Sequence, residues 1–259
     1  MPSPARRFKT ARTVAALLLR EMGTTHGRSS VGYLWAVLEP VAGIFLLTFV
    51  FSIAFHAPPM GNSFAFFYAS GFLPFVAYLD VSQKVSAAIR FSRPLLFYPG
   101  VTFVDALAAR FLLGAMTQVM VISIVIAGMI PALGIEAILD LPAIGLSLLM
   151  VGALALGVGT LNCFLTERFP SWERIWAILN RPLFIISAIF FLVESVPQPY
   201  RDWLWFNPLV HVVGQMRKGF FPTYEGAYVS PGYVFGLSAV CLVAGLLFLG
   251  RYHRDLING

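Results

Sequence analysis

Long apolar runs, separated by short clusters of proline, glycine and charge, set the pattern of this chain. The first runs from Leu34 to Phe55, with Glu39-Pro40 near its start, and ends at a turn over 57–63 that holds Pro58, Pro59 and Gly61. The second starts near Phe64, is apolar to Leu79 and continues with a polar face to Ile89. A loop over 91–102 follows, punctuated by Pro94, Pro99 and Gly100. Further spans are read at Phe103 to Ile130, Pro142 to Leu165, Ile175 to Val193 and Gly232 to Gly250. Shorter connections at 131–141 and 166–174 and a tail at 251–259 complete the chain. Each run is long enough to cross a hydrocarbon layer of about 30 Å as a helix.

Two stretches carry a different period. Before the first span, Val14, Leu17, Leu18 and Met22 recur near helical spacing among Arg12, Arg20 and Lys9. That pattern predicts an amphipathic helix lying at a membrane interface with its arginines toward headgroups. In the long segment 194–231, Asn207-Pro208 is a helix start, asparagine capping and proline in the first turn. Leu209, Val212, Val213, Met216 and Phe220 then mark one apolar face. This run is too short and too polar to span. With the Tyr200, Trp203, Trp205 and Phe206 cluster before it, it predicts two short helices that dip into the outer membrane surface or lie on it. The aromatics read either as an interfacial belt or as a lid over a pathway.

Composition narrows the class. The 259 residues are 58% hydrophobic and 12% charged, against about 25% charged in an ordinary soluble domain. A soluble enzyme, a disordered tail and a disulfide scaffold are excluded, leaving an all-α polytopic membrane protein of six spans. The net charge of +6 does not point to nucleic acid, because the basic residues follow sidedness: 15 of the 18 lysines and arginines fall in the N-terminal segment, the tail and alternate connections. The positive-inside rule therefore places both termini in the cytoplasm. Cys163 and Cys241 sit in apolar runs as small buried hydrophobes, and the four histidines are scattered, so no metal site is expected.

No catalytic constellation, phosphate-binding loop or dinucleotide fingerprint is legible. Asp80, Asp105, Glu39 and Arg110 lie near inner span ends, where a charge is wet or paired; Glu39 stands out because it precedes Pro40. The span interiors almost lack ionisable groups, which argues against proton coupling. The absence of an internal repeat argues against an inverted-repeat carrier. Energy must then come from a separate ATPase docked on the cytoplasmic face. The 90–100 loop, with Arg93, Leu95, Leu96, Phe97 and Tyr98, and the 168–174 loop offer surfaces for that, or for anionic lipid.

Specific strings complete the reading. Leu19-Arg20-Glu21, then Gly32-Tyr33-Leu34-Trp35-Ala36 and Leu38-Glu39-Pro40, then Asn207-Pro208-Leu209-Val210-His211-Val212-Val213 with Arg217, resemble the membrane subunit of type-2 ABC exporters, closest to the capsular-polysaccharide branch. Gly71-Phe72-Leu73-Pro74-Phe75, Asp105 with Arg110, and Phe169-Pro170 agree more weakly. One departure is Gly214-Gln215, where related sequences often carry an acid after the valine pair. The resemblance implies a homodimer in the bacterial inner membrane with two copies of a cytoplasmic ATPase, which would hold the ATP and Mg; no cofactor is expected on this chain. It implies a gate segment over 1–33, a transmembrane domain over 34–250 and a cytoplasmic tail over 251–259. The cargo implied is a lipid-linked acidic polysaccharide, passed on to a periplasmic polysaccharide co-polymerase and an outer-membrane pore. Carried onto this chain, Arg20, Arg28, Tyr33, Trp35 and Glu39 would form the substrate entrance. Arg93, Leu95, Leu96, Phe97 and Tyr98 would dock the ATPase, and Trp203, Trp205, His211 and Arg217 would shape the outer lid. Another cargo (O-antigen, teichoic acid or a drug) and a non-transporting assembly factor are the alternative readings.

Overall fold

A computed structural model describes residues 9–25, 31–54, 56–98, 100–135 and 138–258. Among these residues ten α-helices follow one another: α1 Lys9–Thr25, α2 Val31–Ala54, α3 Phe64–Ser86, α4 Ala88–Leu96, α5 Phe103–Leu133, α6 Leu141–Arg168, α7 Trp172–Ile186, α8 Tyr200–Trp205, α9 Pro208–Phe220 and α10 Pro231–Asn258. No strand occurs among the described residues. Local chemistry sets several starts. Ser63 accepts the Phe66 N–H at the head of α3. Thr102 and Asp105 form a reciprocal capping box at α5, and Asp140 accepts the Ala143 N–H at α6 with Pro142 in its first turn. Gly134, left-handed at φ 60°, ends α5.

Among the described residues, five segments are long and apolar enough to cross a membrane: Leu34–Ile53, Phe64–Leu96, Phe103–Leu133, Leu141–Arg168 and Pro231–Tyr252. Their ends fall into two groups. One end of the bundle carries α1, α4, the α6–α7 turn and most of the arginines, and is here the basic end. The other carries α8 and α9, and is the cap end. At the centre α3 packs on α6, and α6 packs on α10. Lipid tails are as apolar as leucine, so close packing must hold such helices together, and small residues permit it. A Cβ at Gly159 would stand 2.8 Å from Val85 Cβ, and one at Gly245 would stand 2.7 Å from the Leu161 amide nitrogen. In contrast, α2 and α7 sit at the periphery. Phe45 and Ile53 on α2 are more than 70% exposed, and no residue of α7 is buried.

The segment expected to span from Ile175 to Val193 has another form. Helix α7 has 15 residues and stops at Ile186; Ala188 then turns left-handed at φ 58°, and irregular chain runs to a 3-10 turn at Val193–Ser195. Ring contacts trace its course. Trp172 bonds Asn162 near the basic end, Phe184 meets Phe72 and Phe75, and Phe190 meets Phe51 and Tyr68 near the cap end. The segment thus travels the bundle beside α3 as a half-helix followed by unwound backbone. Unwound backbone at that depth is tolerated only against protein that satisfies it. Here it lies on Gly71, where a Cβ would come within 3.1 Å of Ile189 Cα.

Other boundaries also move. The loop read over 91–102 is helical through Leu96, because Pro94 lies late in α4 and interrupts little. Residues Trp172 to Arg174, read as loop, begin α7. The tail over 251–259 continues α10 to Asn258, no helix breaker standing between. The two short helices before the last span are present, and α9 is deeply buried rather than laid on the surface.

Candidate functional site

Two clusters of the bundle carry the residues singled out in the sequence. At the basic end, α1 packs against α5, with Leu17 and Glu21 the buried residues of its described face. Glu21 is buried, and the Arg110 guanidinium donates from Nη1 to its Oε1 at 2.5 Å while lying 3.7 Å from the centre of the Phe91 ring. One arginine therefore joins α1, α5 and α4. Burial raises the Glu21 carboxyl above its usual range, and the Arg110 charge works against that rise. A groove of about 560 Å3 runs between α1 and the 95–101 stretch, lined by Arg12, Arg20, Ala16, Leu17, Leu95 and Val101.

The entrance residues are only partly brought together. Arg20 lines this groove. Trp35 and Glu39 do not: both are exposed on the outward side of α2. Arg28 and the Tyr33 side chain lie outside the described residues. The remaining charges noted near span ends are paired. Lys84 and Gln118 both donate to Asp80 Oδ2, at 2.7 and 2.8 Å, and Asp105 accepts from the Thr102 N–H and hydroxyl.

Around α4, Phe97 and Tyr98 are exposed, with Leu95 and Leu96 half-buried beneath them. Arg93 is half-buried on the same helix. Arg90 reaches across to donate to Glu167 at 3.3 Å and Glu173 at 3.2 Å, tying α4 to the α6–α7 turn. These are wet pairs, worth little in stability; their effect is to hold the two basic-end loops as one surface.

At the cap end the aromatic cluster closes on itself. His211 Nδ1 accepts the Ser230 N–H at 3.2 Å, so the ring proton sits on Nε2, which donates to the Trp205 carbonyl at 2.7 Å. Trp205 Nε1 donates to the Tyr228 carbonyl, and the Tyr233 hydroxyl to the Phe206 carbonyl. Within this cage the imidazole is desolvated, which lowers its pKa below 6.5. A neutral histidine here stabilises the fold above pH 6.5, and that contribution is lost as pH falls from 6.5 through the lowered value. The melting temperature of the protein is expected to drop between pH 7 and pH 5. In His211→Gln that drop is expected to shrink, which differential scanning fluorimetry across the range will measure.

Arg217 is fully buried. Its guanidinium donates to the carbonyls of Phe191 at 2.9 Å and Ile189 at 3.0 Å and lies 4.3 Å from the centre of the Phe67 ring. Asn207, besides capping α9, donates to the Ile186 carbonyl and the Ser187 hydroxyl, each at 3.2 Å. These two side chains of the α9 segment thus satisfy the backbone freed where α7 breaks. Of the residues expected in the lid, His211 and Arg217 are interior bolts, Trp205 is half-buried, and Trp203 is exposed. The departure at Gly214 has a steric reason. A Cβ there would stand 2.5 Å from the Tyr228 hydroxyl and 2.7 Å from Val229, and the neighbouring Gln215 donates to the Ala143 carbonyl.

Comparison with known proteins agrees with this architecture. Residues 12–221 match the model of the ABC-2 type transporter family. The chain is 33% identical over 234 residues to the polysialic acid transport protein KpsM of Escherichia coli, covering 90% of this chain and 91% of the relative. It is 28% identical over 256 residues to the capsule polysaccharide export inner-membrane protein CtrC of Neisseria meningitidis, covering 95% and 92%. It is 25% identical over 250 residues to the capsule polysaccharide export inner-membrane protein BexB of Haemophilus influenzae, again covering 95% and 92%. The family-model match over residues 12–221 and the 33% identity to KpsM over nine-tenths of both chains make the chain a member of the ABC-2 type transporter family, with which the helical bundle agrees.

Proposed function

We propose that this chain is the membrane-spanning subunit of an ATP-driven exporter that moves a lipid-linked acidic capsular polysaccharide outward across the bacterial inner membrane. The observation that carries the reading is the match over nine-tenths of the chain to relatives named for polysialic acid transport and capsule polysaccharide export. The bundle supports it in three ways. The basic end, rich in arginine, faces the cytoplasm, with both termini on that side. The α4 surface, bearing Phe97 and Tyr98, is the seat of a separate ATPase that binds ATP and Mg. The α8–α9 cap, its α9 helix buried in the bundle, closes the periplasmic end. Two copies of the chain form the conduit, Arg20 and the α1 groove receive the anionic end of the cargo, and a periplasmic co-polymerase and outer-membrane pore continue the route.

The docking assignment is open to direct test. Exposed aromatics that insert into a partner groove carry a large share of an interface's energy. With the cognate ATPase co-expressed, Phe97→Glu/Tyr98→Glu is expected to cut ATPase recovered with the tagged membrane subunit by roughly tenfold or more. The melting temperature of the membrane subunit should remain that of the wild type, because both side chains are exposed. Full ATPase recovery with the double variant would move the docking surface elsewhere.

A further inference from the structure

Two cavities flank α7 on the side facing α3, and they share Leu79, Ala177 and Asn180. The one nearer the basic end, about 500 Å3, is lined by Gln83, Asn162, Thr166, Glu173, Trp176 and Asn180, among others. The other, farther along α7 and more open, about 440 Å3, is lined by Phe72, Phe75, Phe184 and Arg181. Together they form a cleft along α7 from the level of Glu173 to that of Phe184, about 16 Å at the helical rise. Two features lack partners. The Asn180 side-chain oxygen is buried without a hydrogen bond. Arg181, two turns and more into α7, makes no ion pair or hydrogen bond among the described residues. A buried acceptor without a donor is costly, and the exposed Arg181 guanidinium beside it presents a positive charge at the edge of the same cleft. Trp176 stacks on Trp172 at a centroid distance of 6.2 Å at the mouth of the cleft.

We infer that the α3–α7 cleft binds an acidic glycan: Arg181 pairs with its carboxylate, Asn180 accepts a sugar hydroxyl, and Trp176 packs on a pyranose face. This rests on the export reading and deepens it. The groups in the cleft fit this ligand better than a phospholipid. Amides and an indole line its mouth, where a headgroup phosphate would need cations, and Arg90, which lines it, is already shared by Glu167 and Glu173. Arg181 lies exposed farther along α7, beside Phe72, Phe75 and Phe184, where a polymer threading past would present its carboxylates one after another. A guanidinium pairs with a carboxylate through two parallel hydrogen bonds, and a lysine ammonium cannot reproduce that fork.

The test uses the complete transporter with its ATPase, in phosphatidylcholine nanodiscs. The probes are an α2,8-linked sialic acid tetramer and, as the neutral control, maltotetraose, with binding read by microscale thermophoresis. The acidic tetramer is expected to bind more tightly than maltotetraose. Arg181→Gln should weaken the acidic tetramer by roughly tenfold or more and leave maltotetraose unchanged. Arg181→Lys should fall between, and it keeps the charge should the glutamine variant fail to assemble. Equal binding of the acidic tetramer by wild type and Arg181→Gln would overturn the inference, as would no binding by the wild type. Displacement of the tetramer by phosphatidylglycerol in the nanodisc, lost in Arg181→Gln, would assign the cleft to lipid instead. Recovery of the ATPase with each variant separates the two claims. If the ATPase is retained and Arg181→Gln binds like wild type, only the cleft assignment fails; if wild type never recovers an ATPase, the export reading fails.

Discussion

Arg217→Met is expected to lower the melting temperature of the purified protein by roughly 5–15 °C and to abolish export. The substitution keeps an unbranched side chain of similar length but removes every donor. The carbonyls of Ile189 and Phe191 would then stay buried beside the break in α7 with nothing to bond. Each unmet buried carbonyl costs about 1–3 kcal/mol. The stacking of the guanidinium on Phe67 is lost as well. Relief from desolvating a guanidinium offsets part of this, so a net loss of about 2–5 kcal/mol is the working figure. For a chain of this size each kcal/mol moves the melting temperature by about 2–4 °C. Arg217→Lys should recover part of the loss, because one ammonium can reach a carbonyl but cannot span both as the planar fork does. Export should fail in Arg217→Met, since the α9 cap and the broken helix are no longer one unit. Melting within 2 °C of wild type (the criterion set here) would mean that Arg217 does not hold the break.

That bolt marks a boundary between what the residue pattern discloses and what it hides. The long apolar helices were legible because a membrane imposes one rule, continuous apolar helix, and the chain obeys it five times. The α9 start was legible because Asn207-Pro208 carries its own capping chemistry, and the structure has Asn207 accepting the Leu209 N–H. The break in α7 was not. Residues Ile185 to Leu192 are apolar and read as more helix, since nothing local in Ser187-Ala188-Ile189 demands an unwound chain. The demand comes from Gly71 on α3 and Arg217 on α9, both distant in sequence. The signal that was present is an arginine set among Val212, Val213, Met216 and Phe220, which, if buried with them, must find acceptors such as backbone carbonyls. Among the charges, reading Asp80 and Arg110 as wet or paired holds; Lys84, one turn from Asp80, was within reach, but Glu21 is 89 residues from Arg110 and Gln118 is 38 from Asp80. The same difficulty hid the aim of His211. Its string was visible, but its role as a neutral clasp between Trp205 and Ser230 needs the fold.

The pair of Glu21 and Arg110 should yield the second large effect, with an asymmetry that identifies its cause. Glu21→Leu leaves a buried guanidinium that no accessible pH can neutralise. Its remaining support is the Phe91 ring. Breaking a buried pair in this way costs about 3–5 kcal/mol. Arg110→Met instead removes the charge that opposes the rise at Glu21, and a carboxyl whose pKa is already raised by burial can take up a proton. Its native pKa lies above that of the unfolded chain, so the native state gains stability as pH falls, and the penalty shrinks toward pH 5. Arg110→Met is therefore expected to melt higher than Glu21→Leu at pH 8, and its deficit relative to wild type should narrow on acidification. The double variant Glu21→Leu/Arg110→Met should regain most of the lost stability, because two apolar side chains tolerate the same pocket. Export is expected to stay impaired in the double variant, because α1 has lost the directional contact that ties it to α5 and, through Phe91, to α4. Scanning fluorimetry of the four proteins at pH 8 and pH 5 gives the coupling directly. Additive single losses would show that the two side chains do not act as a pair, and α1 would then be held on α5 by Leu17 and its apolar neighbours instead.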